Sequence, residues 1–161
     1  MSDAHSIRVM LVDDQELIRT GFRLVLLSEG DMTVVAEAGE GGDALAALGR
    51  LAEAGSGCDV VLMDVRMSGM NGIEATRRIV DEHPGTRVLV LTTFDLDEYA
   101  IGAVQAGASG FLLKDARPSE LVDAIRRVAA GDAAMAPAVT ARMLERLRSG
   151  AGETAAIGLL G

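Results

Sequence analysis

Asp13, Asp14, Asp64, Thr92 and Lys114 each close or directly follow a short apolar run, and their side chains are of types that can do chemistry together. If those runs are parallel strands of one sheet, the five side chains meet at its carboxyl edge, where open α/β sheets keep their ligands. Three carboxylates drawn together repel and favour protonation unless a cation neutralises them. An all-oxygen ligand set, completed by water, suits Mg²⁺ better than a softer metal. Beside a bound Mg²⁺, the carboxylate of Asp64 can attack a phosphoryl group and form an aspartyl phosphate. The metal and Lys114 would balance charge on the transferring oxygens, and the Thr92 hydroxyl could donate a hydrogen bond to one of them. Each residue also has an ordinary reading: an Asp caps a helix, a Thr ends a strand, a lysine sits in solvent. Their coincidence at successive strand ends argues for a site.

Those five residues need a parallel sheet to bring them together. Val60-Val61-Leu62-Met63 is uninterruptedly apolar, as a strand covered by helices on both faces should be. Ile7 to Val12, Met32 to Ala36, Val88 to Leu91 and Gly110 to Leu113 read as four more strands. Between them lie segments of helical period. Gln15 to Leu27 would bury Leu17, Ile18, Gly21, Phe22, Leu24 and Val25; Asp43 to Ala54 would bury Ala44, Leu45, Leu48 and Leu51. A third helix opens at Asn71 or Gly72 and closes near His83-Pro84-Gly85. A fourth spans about Leu96 to Ala106, with Gly107 as a left-handed C-terminal cap, and a fifth starts at Pro118 and stops at Gly131. Five strands alternating with five helices predict a doubly wound parallel sheet. Residues 133–137 read as a connector and 138–148 as one more helix, with Val139, Met143 and Leu147 on a stripe that could dock on the domain or meet a second copy. The Gly- and Ala-rich stretch from Ser149 to Gly161 reads as a linker.

The chain of 161 residues is long enough for one domain with an extension. With aromatics at 2% and no Trp, the core must be aliphatic. A formal charge of −9 argues against nucleic-acid binding by this segment, because phosphate neutralisation needs clustered Lys and Arg. Cys58 is the only cysteine, which excludes an internal disulfide and fits a reducing cytoplasm. Met1 to Ser6 lacks the basic and apolar regions of a signal peptide, and no segment approaches the roughly 20 apolar residues of a membrane span. Gly39-Glu40-Gly41-Gly42 lacks the lysine and the spacing of a phosphate-binding loop.

The set Asp13-Asp14, Asp64 with Met67-Ser68-Gly69-Met70-Asn71-Gly72, Thr92, Ala106-Gly107-Ala108-Ser109-Gly110-Phe111 and Lys114 resembles the receiver domain of bacterial two-component response regulators. The likeness covers roughly residues 7 to 131. Leu91-Thr92-Thr93-Phe94-Asp95 and Gly110-Phe111-Leu112-Leu113-Lys114-Asp115 are closest to the nitrate-regulator and quorum-type, LuxR-like, transcription factors. The resemblance implies a flavodoxin-like fold with a five-stranded sheet of order 2-1-3-4-5. It implies that Asp64 is the phosphoacceptor, that Asp13, Asp14, Asp64 and the backbone carbonyl of Arg66 hold Mg²⁺, and that Lys114 contacts the phosphate. Thr92 and Phe111 would form a switch pair, read out on the segment 96–106, the strand 110–113 and the helix from Pro118, with Tyr99 and Arg126 on that surface. Ser68 and Asp115 stand where many members have proline. Residues 1–131 would be the receiver and 132–161 a helix and linker toward a helix-turn-helix domain that this chain lacks. The implied partners are a sensor histidine kinase, a second copy of the chain, and promoter DNA through the missing domain. The alternative is a stand-alone receiver or an interaction module that works without phosphate. A phosphatase working through an aspartyl phosphate fits poorly, because such enzymes need an acid where this chain has Arg66.

Overall fold

The uninterrupted apolar runs become the middle of a parallel sheet. In a computed structural model, the structure describes residues 6–65, 72–92, 102 and 105–135. The strands are β1 (Ile7–Val12), β2 (Met32–Ala38), β3 (Val60–Asp64), β4 (Arg87–Thr92), β5 (Gly110–Leu113) and β6 (Ala134–Met135). The helices are α1 (Glu16–Leu27), α2 (Gly41–Glu53), α3 (Gly72–Glu82) and α4 (Pro118–Ala129). The sheet order is β2-β1-β3-β4-β5-β6, with every pairing parallel. The expected five strands of order 2-1-3-4-5 are therefore present. The helix expected over 96–106 lies largely outside the described residues, as does that over 138–148.

Alternation along the strands divides the core in two. Val9, Leu11, Val60, Leu62, Leu89 and Leu91 face α1 and α4, where Leu26, Leu121, Val122, Ile125 and Val128 cover them. Met10, Val12, Val61, Met63, Val88 and Val90 face the other way, beneath Ala44, Ala47 and Leu48 of α2 and Ala75 and Ile79 of α3. Phe111 belongs to this second layer and is 0% exposed. Each large side chain so buried contributes about 1.5–3 kcal/mol relative to leaving it in water.

Three expectations need correction. Leu17 and Leu24 of α1 are 83% and 62% exposed, whereas Leu26 is fully buried. The helix turns Phe22, Val25 and Leu26 toward the sheet. Arg126, expected on the switch surface with Tyr99, instead pairs with Glu29 at 2.8 Å and Asp31 at 2.9 Å, in the turn between α1 and β2. Residues 134 and 135, read as connector, extend the sheet beyond β5. Gly110 makes room for them, because a Cβ there would lie 2.8 Å from the carbonyl oxygen of Ala134 and 2.7 Å from Leu89 Cδ1.

Candidate functional site

Strand register decides which side chains meet. Val12 stands beside Met63, Asp64 beside Leu91, and Thr92 beside Leu113, so Asp13 and Lys114 project one residue past the last pairs of their strands. By the alternation of the pleat, Asp13, Asp64 and Lys114 share the sheet face of Val9, Leu11, Leu62 and Leu112. Thr92 and Phe111 share the opposite face. The backbone N–H of Lys114 donates to the carbonyl of Thr92 at 2.6 Å, which fixes the stem of the lysine beside β4. No peptide among the described residues is cis, and Lys114 reaches the carboxylates with Asp115 following it.

Lys114 Nζ lies 3.0 Å from Asp13 Oδ2 and 3.0 Å from Asp64 Oδ2. Asp13 and Asp64 are 2% and 3% exposed, while Asp14 is open to solvent. Burial of the ammonium would lower its pKa, but the two carboxylates it touches outweigh that and hold it above the ordinary lysine value. One ammonium thus serves two buried carboxylates, and a third stands alongside. Asp13 Oδ1 accepts the N–H of Gln15 at 2.9 Å. Asp13 Oδ2 is buried and, apart from the ionic contact with Lys114, has no aligned hydrogen-bond donor among the described residues.

The oxygens that Asp13, Asp14 and Asp64 offer lie within 4.8 Å of one another. That donor set fits a hard cation: all its ligands are oxygen, it carries excess negative charge, and one buried oxygen has only the Lys114 ion pair among the described residues. Carboxylate oxygens gathered this closely could share one such ion, directly or through water. Arg66, whose carbonyl was expected to contribute, and Ser68 lie outside the described residues.

Two features of the site carried no visible signal in the residue pattern. A Cβ on Gly72 would meet the carbonyl oxygen of Asp64 at 2.2 Å and Val65 Cα at 2.8 Å, so only glycine lets the start of α3 press against the backbone of the acidic strand end. The Gly72 N–H donates to Val65 O at 3.1 Å, and the buried Thr76 hydroxyl donates to Gly72 O at 2.6 Å. The second feature is Arg19, whose Nη1 donates to the carbonyl oxygen of Asp13.

The family model described as the response regulator receiver domain matches residues 9–126. YxjL, a transcriptional regulatory protein of Bacillus subtilis, is 46% identical over 138 residues, covering 86% of this chain and 61% of YxjL. LiaR, a transcriptional regulatory protein of the same organism, is 38% identical over 142 residues, covering 88% of this chain and 65% of LiaR. A solved LuxR-family two-component response regulator from Aurantimonas is 37% identical, covers 88% of this chain and 97% of that one, and gives a TM-score of 0.76. The chain spans between 59% and 65% of the length of such curated relatives. Sheet order, the converging acids and lysine, and these likenesses agree that the chain belongs to the response regulator receiver domain family.

Proposed function

We propose that this protein receives a phosphoryl group on Asp64 from a sensor histidine kinase and passes the change of state to transcription. The observation that carries the reading is the meeting of Lys114 with Asp13 and Asp64 at 3.0 Å each, with Asp14 alongside. Asp13, Asp14, Asp64 and the backbone carbonyl of Arg66 would hold Mg²⁺. When bound, the ion supplies positive charge that brings a phosphoryl donor up to an acidic pocket and neutralises the transferring oxygens. An oxygen of Asp64 attacks phosphorus, the bond to the donor's leaving group breaks, and the leaving group departs with the electron pair. Lys114 shifts from its two carboxylates to a phosphoryl oxygen. The Thr92 hydroxyl donates to another, and its inward movement lets Phe111 repack. Support for the pairing of those two is their common sheet face and the full burial of Phe111 against Val88 and Val90. The changed surface then acts through a helix-turn-helix domain carried by a longer form of the protein, whose promoter DNA this acidic segment does not itself touch. The setting is the cytoplasm; no described helix is long and apolar enough to cross a membrane.

The test is intact mass after treatment with a small acyl phosphate and Mg²⁺. The parent protein should gain one acid-labile phosphoryl group and Asp64→Asn should gain none. No adduct on the parent, or an undiminished adduct on Asp64→Asn, overturns the reading.

A further inference from the structure

We infer that Arg19 is a positioning residue for the acidic site: held by Glu37, its guanidinium fixes the carbonyl of Asp13 and so the angle at which Asp13 and Asp14 present their carboxylates to a cation. The inference rests on the phosphoacceptor reading above. Its starting point is the end of a ladder. The Asp13 N–H still donates to Ala38 O of β2 at 3.1 Å, the last such bond on that side of β1. Beyond it the Asp13 carbonyl has left the sheet, and a buried carbonyl needs a donor. Arg19, one turn into α1, supplies it through Nη1. The guanidinium is not free to wander, because its Nε contacts Glu37 Oε1 at 3.2 Å and the side chain is 18% exposed. The second oxygen of Glu37 lies 2.9 Å from Arg23 Nε, an ionic contact without hydrogen-bond alignment, so the hold on Arg19 does not depend on it.

Asp13 is thus held at two points: Gln15 N–H holds its Oδ1, and Arg19 holds its carbonyl, the oxygen of the peptide that joins it to Asp14. Rotation of that peptide would swing the two carboxylates apart. Partners that orient metal ligands from outside the ligand set commonly change affinity by about 10- to 100-fold when removed. Two effects of Arg19 on a bound cation have opposite sign. As a charge, the guanidinium repels the cation, so its loss should tighten binding. As a tie, it sets the ligand geometry, so its loss should weaken binding. The sign of the change separates the two.

The experiment is Mg²⁺ affinity by calorimetry, together with the rise in melting temperature that saturating Mg²⁺ gives over the same protein in EDTA. Arg19→Gln should bind Mg²⁺ roughly tenfold more weakly, with a smaller Mg²⁺-dependent rise than the parent. A merely structural role would lower both melting temperatures and leave their difference intact. Glu37→Gln, which keeps the arginine but loosens its anchor, should show a loss of about threefold in affinity, and it serves if Arg19→Gln fails to fold. The double variant should be no worse than Arg19→Gln alone, because both act through one tie. Arg23→Gln, which touches Glu37 but not Asp13, should match the parent. Equal or tighter Mg²⁺ binding by Arg19→Gln, or an equal loss in Arg23→Gln, overturns the inference and leaves the phosphoacceptor reading standing. Failure of the parent to bind Mg²⁺ overturns both.

Discussion

The two edges of the sheet handle polar groups in opposite ways. At the amino edge they are matched one for one. Asp59 Oδ2 accepts the N–H of Arg8 at 2.9 Å, Arg8 Nε donates to Gly57 O at 2.6 Å, and the buried Thr86 hydroxyl donates to Cys58 O at 2.7 Å. At the carboxyl edge three carboxylates crowd within 4.8 Å of one another around one ammonium, and among the described residues a buried oxygen of Asp13 has only the ionic contact with Lys114. A buried charge without a matched partner lowers stability, so an edge that keeps a surplus of acid does so for something other than folding. The closed edge builds the domain; the open one fits a cation and, on the function proposed above, would receive a phosphoryl group.

The largest effect should come from packing at the carboxyl edge. Gly72→Ala must push the backbone of Asp64 aside and should cost about 3 kcal/mol in a denaturant titration, with loss of Mg²⁺ binding. Gly57→Ala, at the amino edge with nothing within 4 Å of the added carbon, should be close to neutral. Equal costs would mean that the two ends of the sheet do not differ in this way. Next, Asp59→Ala orphans the Arg8 N–H and should cost about 2 kcal/mol.

Alkaline pH sharpens the contrast further. Burial, helped by the charge of Asp59, pushes the Cys58 thiol from 9.0 up to about 12. The folded chain therefore keeps a proton that the unfolded chain releases. This contribution is complete below pH 9 and falls as pH rises toward 12, by at most about 1.4 kcal/mol per unit. Between pH 9 and 10 that slope should largely vanish in Cys58→Ala; Lys114, held above its ordinary 10.5, adds only a small slope of the same sign in this window. The smallest effect has the opposite sign. Asp14→Asn relieves exposed like-charge repulsion and should raise the melting temperature in EDTA by about a degree, while removing most of the gain from Mg²⁺.

Much of this was legible in the residues. The runs ending at Asp64, Thr92 and Leu113 are so apolar that a buried parallel sheet was the natural consequence, and parallel strands bring their carboxyl ends together without further information. What stayed hidden shares a physical cause. In α1, apolar residues at 17, 18, 22 and 24–27 wrap most of the way round the helix, so period alone could not choose the inward face. Two residues at 134 and 135 are too few to show a period, and their strand depends on the missing side chain of Gly110. The grip of Arg19 on the Asp13 carbonyl is a contact to backbone, which residue types do not reveal.

The most direct measurement is the position of the phosphoryl group. Reduction of the acyl-phosphate-treated protein with borohydride converts an aspartyl phosphate to homoserine, and peptide mass spectrometry then locates it. Homoserine should appear at position 64 alone and only when Mg²⁺ was present; homoserine at position 13 or 14, or none at all, would rule out Asp64 as the acceptor.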